Sequence, residues 1–162
     1  MRETVVVDAN IAFKWVVNEP DSETAIALLK KWTSKRTVMV APILFTYEVA
    51  NILYQAVRKG KITIDRAKEV LEEVILLGIE IDSPQDLSLS LRAIELAGQY
   101  NLSATYDAHY LALAEREGCE LWTADLKMWN AIRGKTDWVR WIGDYDSVDS
   151  DTSPNASDPN NS

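Results

Sequence analysis

One cysteine and one histidine are all this chain has of thiol and imidazole. Cys119 alone forms no internal disulfide and builds no cysteine-based zinc site. His109 alone argues against a histidine metal site and against a His-paired nucleophile. Set between small apolar residues, it reads as a packed or surface-placed ring. The six glycines stand singly, as helix stops and turns, so no phosphate-cradling loop is present. No apolar run approaches the ~20 residues of a membrane span. The first residues lead straight into a strand pattern rather than a secretory signal. These absences predict a cytoplasmic protein in which Cys119 is a small buried hydrophobe.

Positive charge is also short, and the formal net charge is −8. The deficit is uneven. Residues 144–162 carry five Asp and no Lys or Arg, which leaves roughly three surplus negative charges on residues 1–143. A cluster of acids would account for that remainder, so charge neither supports nor excludes a nucleic-acid partner.

What is present is a chain of 162 residues, 47% of them hydrophobic. That predicts one globular domain over residues 1–143. The tail, residues 144–162, is rich in Asp, Ser, Asn and Pro and reads as disordered. The β-branched run at 4–8 predicts a buried strand, followed by a short helix over 10–17. Pro20-Asp21 marks a turn with Asp21 as N-cap, and Ala25, Leu28, Leu29 and Trp32 form the stripe of the next helix. A strand at 37–41 leads to Pro42, placed at the first position of a long helix ending near Gly60. Thr63 caps a helix with Ile64, Ala67, Val70, Leu71, Val74 and Ile75 on one face. A short strand follows at 79–81.

Ser83-Pro84-Gln85-Asp86 then opens a helix that stops near Gly98. A helix over 105–117, a strand at 120–123, a helix at 126–132 and a strand at 138–142 complete the pattern. Alternating strands and helices imply a parallel sheet covered on both faces, an α/β fold.

Four acids lie beside apolar segments, where desolvation is costly unless something pairs them. Asp8 ends the run Val5-Val6-Val7, although it also suits the cap of the following helix. Glu48 sits at helical spacing from Leu44, Phe45, Val49 and Ile52. Asp107 precedes Tyr110, Leu111 and Ala114 on one stripe, or complements a helix dipole. Asp125 follows Leu121-Trp122-Thr123 and is also a natural N-cap. If the four converge, they raise one another's pKa until a cation neutralises them. An all-oxygen set suits Mg²⁺ or Mn²⁺. Asn10 is a neutral oxygen ligand or a cap, and the Thr123 hydroxyl can bond an acid or a phosphate. Asp65, Asp82, Asp86 and Asp137 read as caps and turns. Arg58-Lys59-Gly60-Lys61 reads as a solvated helix end with some capacity for phosphate.

The ordered set Val-Val-Asp8-Ala-Asn10, Pro42 with Glu48, Tyr106-Asp107-Ala-His-Tyr-Leu-Ala-Leu-Ala and Thr123-Ala-Asp125 resembles the PIN-domain nucleases, most of all their VapC-type toxin branch. The resemblance spans residues 1–143. It implies a three-layer α/β/α sandwich around a parallel sheet, with the acids at the strand carboxyl ends. It also implies metal at Asp8, Glu48, Asp107 and Asp125, substrate positioning by Asn10 and Thr123, and hydrolysis of RNA. A small antitoxin and a homodimer are the partners it suggests, with no membrane. Competing readings are an RNA-processing PIN nuclease without antitoxin, a haloacid-dehalogenase-like phosphatase, and a non-catalytic PIN-like module. The phosphatase wants a second Asp two residues after the first, where this chain has Asn10.

Overall fold

The computed structural model describes residues 2–83, 85 and 87–146. Pro84 and Asp86 of the expected helix-start signal, and residues 147–162 of the expected tail, lie outside the described residues.

The elements run in sequence as β1 (Thr4–Val7), α1 (Ala9–Val16), α2 (Ser22–Ser34), β2 (Val38–Ala41), α3 (Leu44–Arg58), α4 (Ile64–Leu76), β3 (Glu80–Ile81), α5 (Leu87–Gln99), α6 (Tyr106–Glu117), β4 (Glu120–Thr123), α7 (Leu126–Ile132) and β5 (Val139–Trp141). A 3-10 turn, Ile142–Asp144, follows. The five strands form one all-parallel sheet in the order β3-β2-β1-β4-β5. Such strands are buried on both faces and read as continuous apolar runs. Val5, Val6 and Val7 are buried accordingly.

From β1 the chain steps outward to β2 and β3, then crosses back to β4 and β5. Right-handed crossovers therefore place α1–α4 on one face and α5–α7 on the other. The packing agrees: α1 meets α2, α3 and α4, and α5 lies along α6. The reversal of direction puts a topological switch point between β1 and β4, where a crevice opens beyond the strand carboxyl ends.

Several local expectations change. Asp21 occupies the N-cap position of α2 in a left-handed conformation, φ 68°, with no side-chain cap. Ser22 secures that turn instead, accepting from the Glu19 amide and donating to the Val17 carbonyl. Pro42 stands two residues before α3 rather than inside it, and its carbonyl accepts from Phe45 N. On α4, Val70 and Val74 are buried, whereas Ile64 and Ile75 are exposed. Asp82 is no simple turn residue, since Arg116 grips both its oxygens. Trp32 belongs to the core, edge-on to Trp122. Tyr145, past the expected boundary at 143, meets Trp122 edge-on from the other side. Cys119 is half-buried against the core, and burial pushes its thiol up to about 11. Thr63 caps α4 through the Arg66 amide, and Gly118 ends α6 at φ 61°, a left-handed position that suits glycine. Among the described residues no helix is long and apolar enough to cross a membrane.

Candidate active site

Two residues that meet at the switch point lie 115 positions apart in sequence. Val7 pairs with Trp122 in the β1–β4 ladder, so the residues just beyond, Asp8 and Thr123, come side by side. Thr123 is wholly buried and its hydroxyl donates to Asp8 Oδ2. The Ala124 amide donates to the same oxygen at 3.2 Å, and the Ile11 amide donates to Oδ1 at 2.9 Å. Asp8 is thus both the cap of α1 and the inner acid of the crevice. Burial raises its pKa from 3.8 to about 6 against the pull of those three hydrogen bonds.

The other acids arrive from helices whose ends reach this edge. Asp125 caps α7, where its Oδ1 accepts from Lys127 N and Met128 N at 2.9 and 3.2 Å, and its own amide donates to Thr123 Oγ1. α6 leads into β4, so its first turn lies at the strand carboxyl edge and carries Asp107 there. Burial, then the charge of Asp125, raises the pKa of Asp107, partly offset by Lys127. Glu48, one turn into α3, is half-buried, and its pKa rises to about 7. Burial is the main cause, followed by the charges of Asp107, Asp8 and Asp125.

Glu48 Oε1 and the Tyr110 hydroxyl are buried without a well-aligned hydrogen bond, although Tyr110 lies close enough to favour the ionised Glu48. A buried carboxylate oxygen short of a well-placed donor is costly, and a proton or a cation stabilises it. The donor set is all oxygen, which fits a hard divalent ion. The acids are nevertheless spread more widely than a closed ligand cage. Among the described residues no group of three or more is close enough to hold a metal ion.

Glu48, Asp107 and Asp125 line a cleft of about 450 Å³, together with Tyr47, Asn51, Tyr106 and Lys127. A cavity of similar size, about 490 Å³, opens near the amino end of β4 around Cys119 and Trp138 and holds none of the four acids. Asn10 lies in the first turn of α1 and does not line the acid cleft. Arg58, Lys59 and Lys61 are at the end of α3, away from the residues lining it. Asn51 and Lys127 are site residues that the sequence analysis does not single out. Asn51 follows Glu48 by one helical turn and Lys127 follows Asp125 by two residues, a proximity to the acids that does not by itself show which side chains face the cleft.

A family model for the PIN domain matches residues 5–134. The chain belongs to the PIN-domain family. Among its relatives is Ribonuclease VapC3 of Pyrobaculum aerophilum, 32% identical over 126 residues, spanning 76% of this chain and 91% of the relative. Solved PIN-fold structures align across most of the chain at lower identity and attest the fold. PAE2754 of the same organism gives a TM-score of 0.63 at 21% identity, covering 88% of this chain and 93% of that one. VapBC2 of Rickettsia felis, solved with a DNA fragment from its promoter, gives 0.60 at 17%, covering 88% and 99%. Family membership removes the phosphatase reading: the acid after β1 belongs to a PIN crevice.

Within this PIN domain, Thr123→Val should test how far Asp8 depends on its hydroxyl donor. The swap keeps shape and leaves Asp8 Oδ2 with only the Ala124 amide. We expect a loss of ~1–3 kcal/mol. The loss should be larger at pH 7.5 than at pH 5, because the hydroxyl favours the ionised carboxylate. Urea denaturation at the two pH values checks it, and an equal cost at both would show that Thr123 matters only as packing.

Proposed function

We propose that this PIN domain is a VapC-type endoribonuclease that hydrolyses RNA phosphodiesters with Mg²⁺ or Mn²⁺ and acts as the toxin of a toxin–antitoxin pair. The observation that carries the reading is the gathering of Glu48, Asp107 and Asp125 on one cleft, with the charge of Asp8 also felt at Glu48. Its second support is the 32% identity to a named VapC ribonuclease across three-quarters of the chain.

Asp8, Glu48, Asp107 and Asp125 would hold the cation. When bound, it supplies charge neutralisation and lowers the pKa of a coordinated water. The chain's own residues do the remaining work. Thr123 Oγ1 and the Ala124 and Ile11 amides fix Asp8 and favour its ionised form. Asp125 is fixed likewise by the first amides of α7. Lys127 brings a cation to the edge of the acid cleft, where a phosphate oxygen can pair with it. The reaction is attack of a water oxygen on phosphorus, with the P–O3′ bond breaking in line. The water proton passes to the acid cluster and a proton returns to O3′, leaving 5′-phosphate and 3′-hydroxyl ends. No histidine takes part, and His109 is occupied elsewhere. Incubating purified protein with single-stranded RNA in Mn²⁺, with and without excess EDTA, tests the reading. Cleavage undiminished by EDTA would sink it.

The partner reading rests on the same acids and on the surface. α5 leaves Leu87, Leu91 and Ile94 each more than 60% exposed on one helical stripe. A row of that kind suits a self-association face, and the chain is taken to act as a homodimer. Tyr47 and Tyr54 add exposed aromatic surface, whereas Trp32 is buried. An antitoxin would seat Arg or Lys among the acids in place of the metal charge. Saturating Mn²⁺ is therefore expected to weaken antitoxin binding about tenfold or more. Isothermal titration with and without the ion measures it, and an unchanged Kd would remove the competition.

A further inference from the structure

The acid cleft is not closed at its outer end. Beyond Tyr47 and Tyr106 lies a second cavity of about 240 Å³. Both tyrosines and Leu44 line the two spaces alike, so the spaces share a wall. That wall is aromatic and left to solvent, with Tyr47 66% and Tyr106 63% exposed. An exposed tyrosine at one site is ordinary. Two that jointly divide an acid cleft from a mostly apolar pocket are not explained by the core.

The pocket is lined by buried Leu89, and by Ser90 and His109. His109 Nδ1 lies 2.7 Å from the Thr105 carbonyl oxygen, and Nε2 lies 3.1 Å from Ser90 Oγ. A carbonyl oxygen only accepts, so Nδ1 carries the proton. In the neutral ring Nε2 then accepts from the Ser90 hydroxyl, which leaves the serine oxygen its acceptor capacity. The chain's one histidine thus works as a fixed wall. Asp82 at the margin is already held by Arg116.

RNA must bind a protein of net charge −8 whose acid cleft has Lys127 as the one cation among its lining residues. Phosphate contacts alone are a weak source of affinity here. Base stacking on exposed aromatic rings is independent of charge and needs bases free of a duplex. A pocket with an aromatic wall, apolar sides and a few polar groups, Ser90 and Ser83 among them, has the chemistry for a single base turned out of its stack. The shared wall sets that base close to the phosphate addressed by the acids.

We propose that this second cavity is a subsite for one unstacked nucleobase of single-stranded RNA, with Tyr47 and Tyr106 as its stacking wall. The inference rests on the ribonuclease reading above and names the substrate class of that site.

Binding of fluorescein-labelled hexaribonucleotides to the full chain, followed by anisotropy in EDTA, separates recognition from cleavage. About 0.15 M salt screens the acids from phosphate. The probes are one intact hexamer, the same hexamer with a single abasic position moved along it, and a hairpin duplex of equal length. In the wild type, one abasic position should weaken binding about tenfold, others less, and the duplex should bind more weakly than the single strand. Ser90→Leu, which fills the pocket from α5, should weaken the intact probe by a similar factor and erase the abasic penalty. Tyr106→Ala should do the same, and Tyr106→Phe should restore binding. An abasic penalty that persists in Ser90→Leu overturns the subsite, as does a duplex bound as tightly as the single strand. So does a change of oligomeric state in Ser90→Leu by light scattering, which would assign the pocket to a second copy of the chain. Position-dependent base binding without Mn²⁺-dependent cleavage would support the subsite and overturn the nuclease reading alone.

Discussion

Asp107→Asn is expected to lower metal-dependent RNA cleavage by about 10²–10³-fold while leaving the metal-free protein as stable as the wild type or more so. The two halves of that result come from one cause. Asp107 is half-buried at the start of α6, and burial together with the charge of Asp125 opposes its ionisation. An amide of the same shape removes the repulsion, so the empty fold relaxes. The same amide is a poor ligand for a hard cation, so the loaded site fails. A purely structural Asp107, serving only the helix dipole, would show the opposite pattern: activity retained and stability lost by ~0.3–1 kcal/mol. Cleavage of a labelled oligoribonucleotide and thermal melting in EDTA, run on one preparation, separate the two. Asp8→Asn is a less clean probe. Its carboxylate accepts from three donors, and an amide nitrogen would face at least one of them.

Without metal, stability should fall as pH rises from about 4 to about 8. Asp8 titrates near 6 in the native state against 3.8 as its ordinary value, and Glu48 near 7 against 4.5. Burial is the first cause for both, joined at Glu48 by the charges of Asp107, Asp8 and Asp125. Both native values are raised, so across this window the native state holds more protons than the unfolded chain. The penalty is absent below the unfolded values, grows through the window, and is complete above the native ones. Every tenfold difference in proton affinity between the native and unfolded states corresponds to about 1.4 kcal/mol, and partial exposure of Glu48 screens part of its share. The total is on the order of a few kcal/mol. Urea denaturation at pH 5 and pH 7.5 in EDTA should show the drop, and Mn²⁺ should remove most of it at pH 7.5. A metal-free protein at least as stable at pH 7.5 as at pH 5 would contradict the crowding of these acids.

How much of this is legible in the sequence depends on how local the cause is. β4 and α7 match their expected bounds, because a short apolar run and an Asp N-cap carry their own signals. Gly118 and Thr63 behave as expected for the same reason. Asp21 does not cap, because capping needs an extended backbone, and the turn at Pro20 forces a left-handed one that the residue names do not reveal. Trp32 lies on the apolar stripe as expected, but its cover comes from Trp122, ninety positions away and on another element, which no local pattern reveals. Ile64 and Ile75 lie outside the core because a stripe shows only that one face is apolar, not how wide the neighbouring helix is.

At the site, the acids are visible in the sequence as acids out of place, and the alternatives set against them prove compatible. Asp8 and Asp125 are caps and also crevice residues, since a strand end that opens a helix is where both roles fall. The cleft itself has no local signal. Tyr47, Asn51, Tyr106 and Lys127 come from three helices, and only the fold brings them to one space.

The bond between Thr123 and Asp8 spans nearly the whole domain. A ribosome making this chain finishes β1 first and must extend it by more than a hundred residues before the partner strand exists. Until β4 has joined β1, Asp8 has no hydroxyl donor, and Asp107 and Asp125 are not yet beside Glu48. Long-range pairing of this kind is slow and comes late in folding. A nascent or truncated chain lacking residue 125 therefore lacks one of the acids and has no assembled centre. The connectivity thus makes assembly of the acid cluster one of the last events in making this chain.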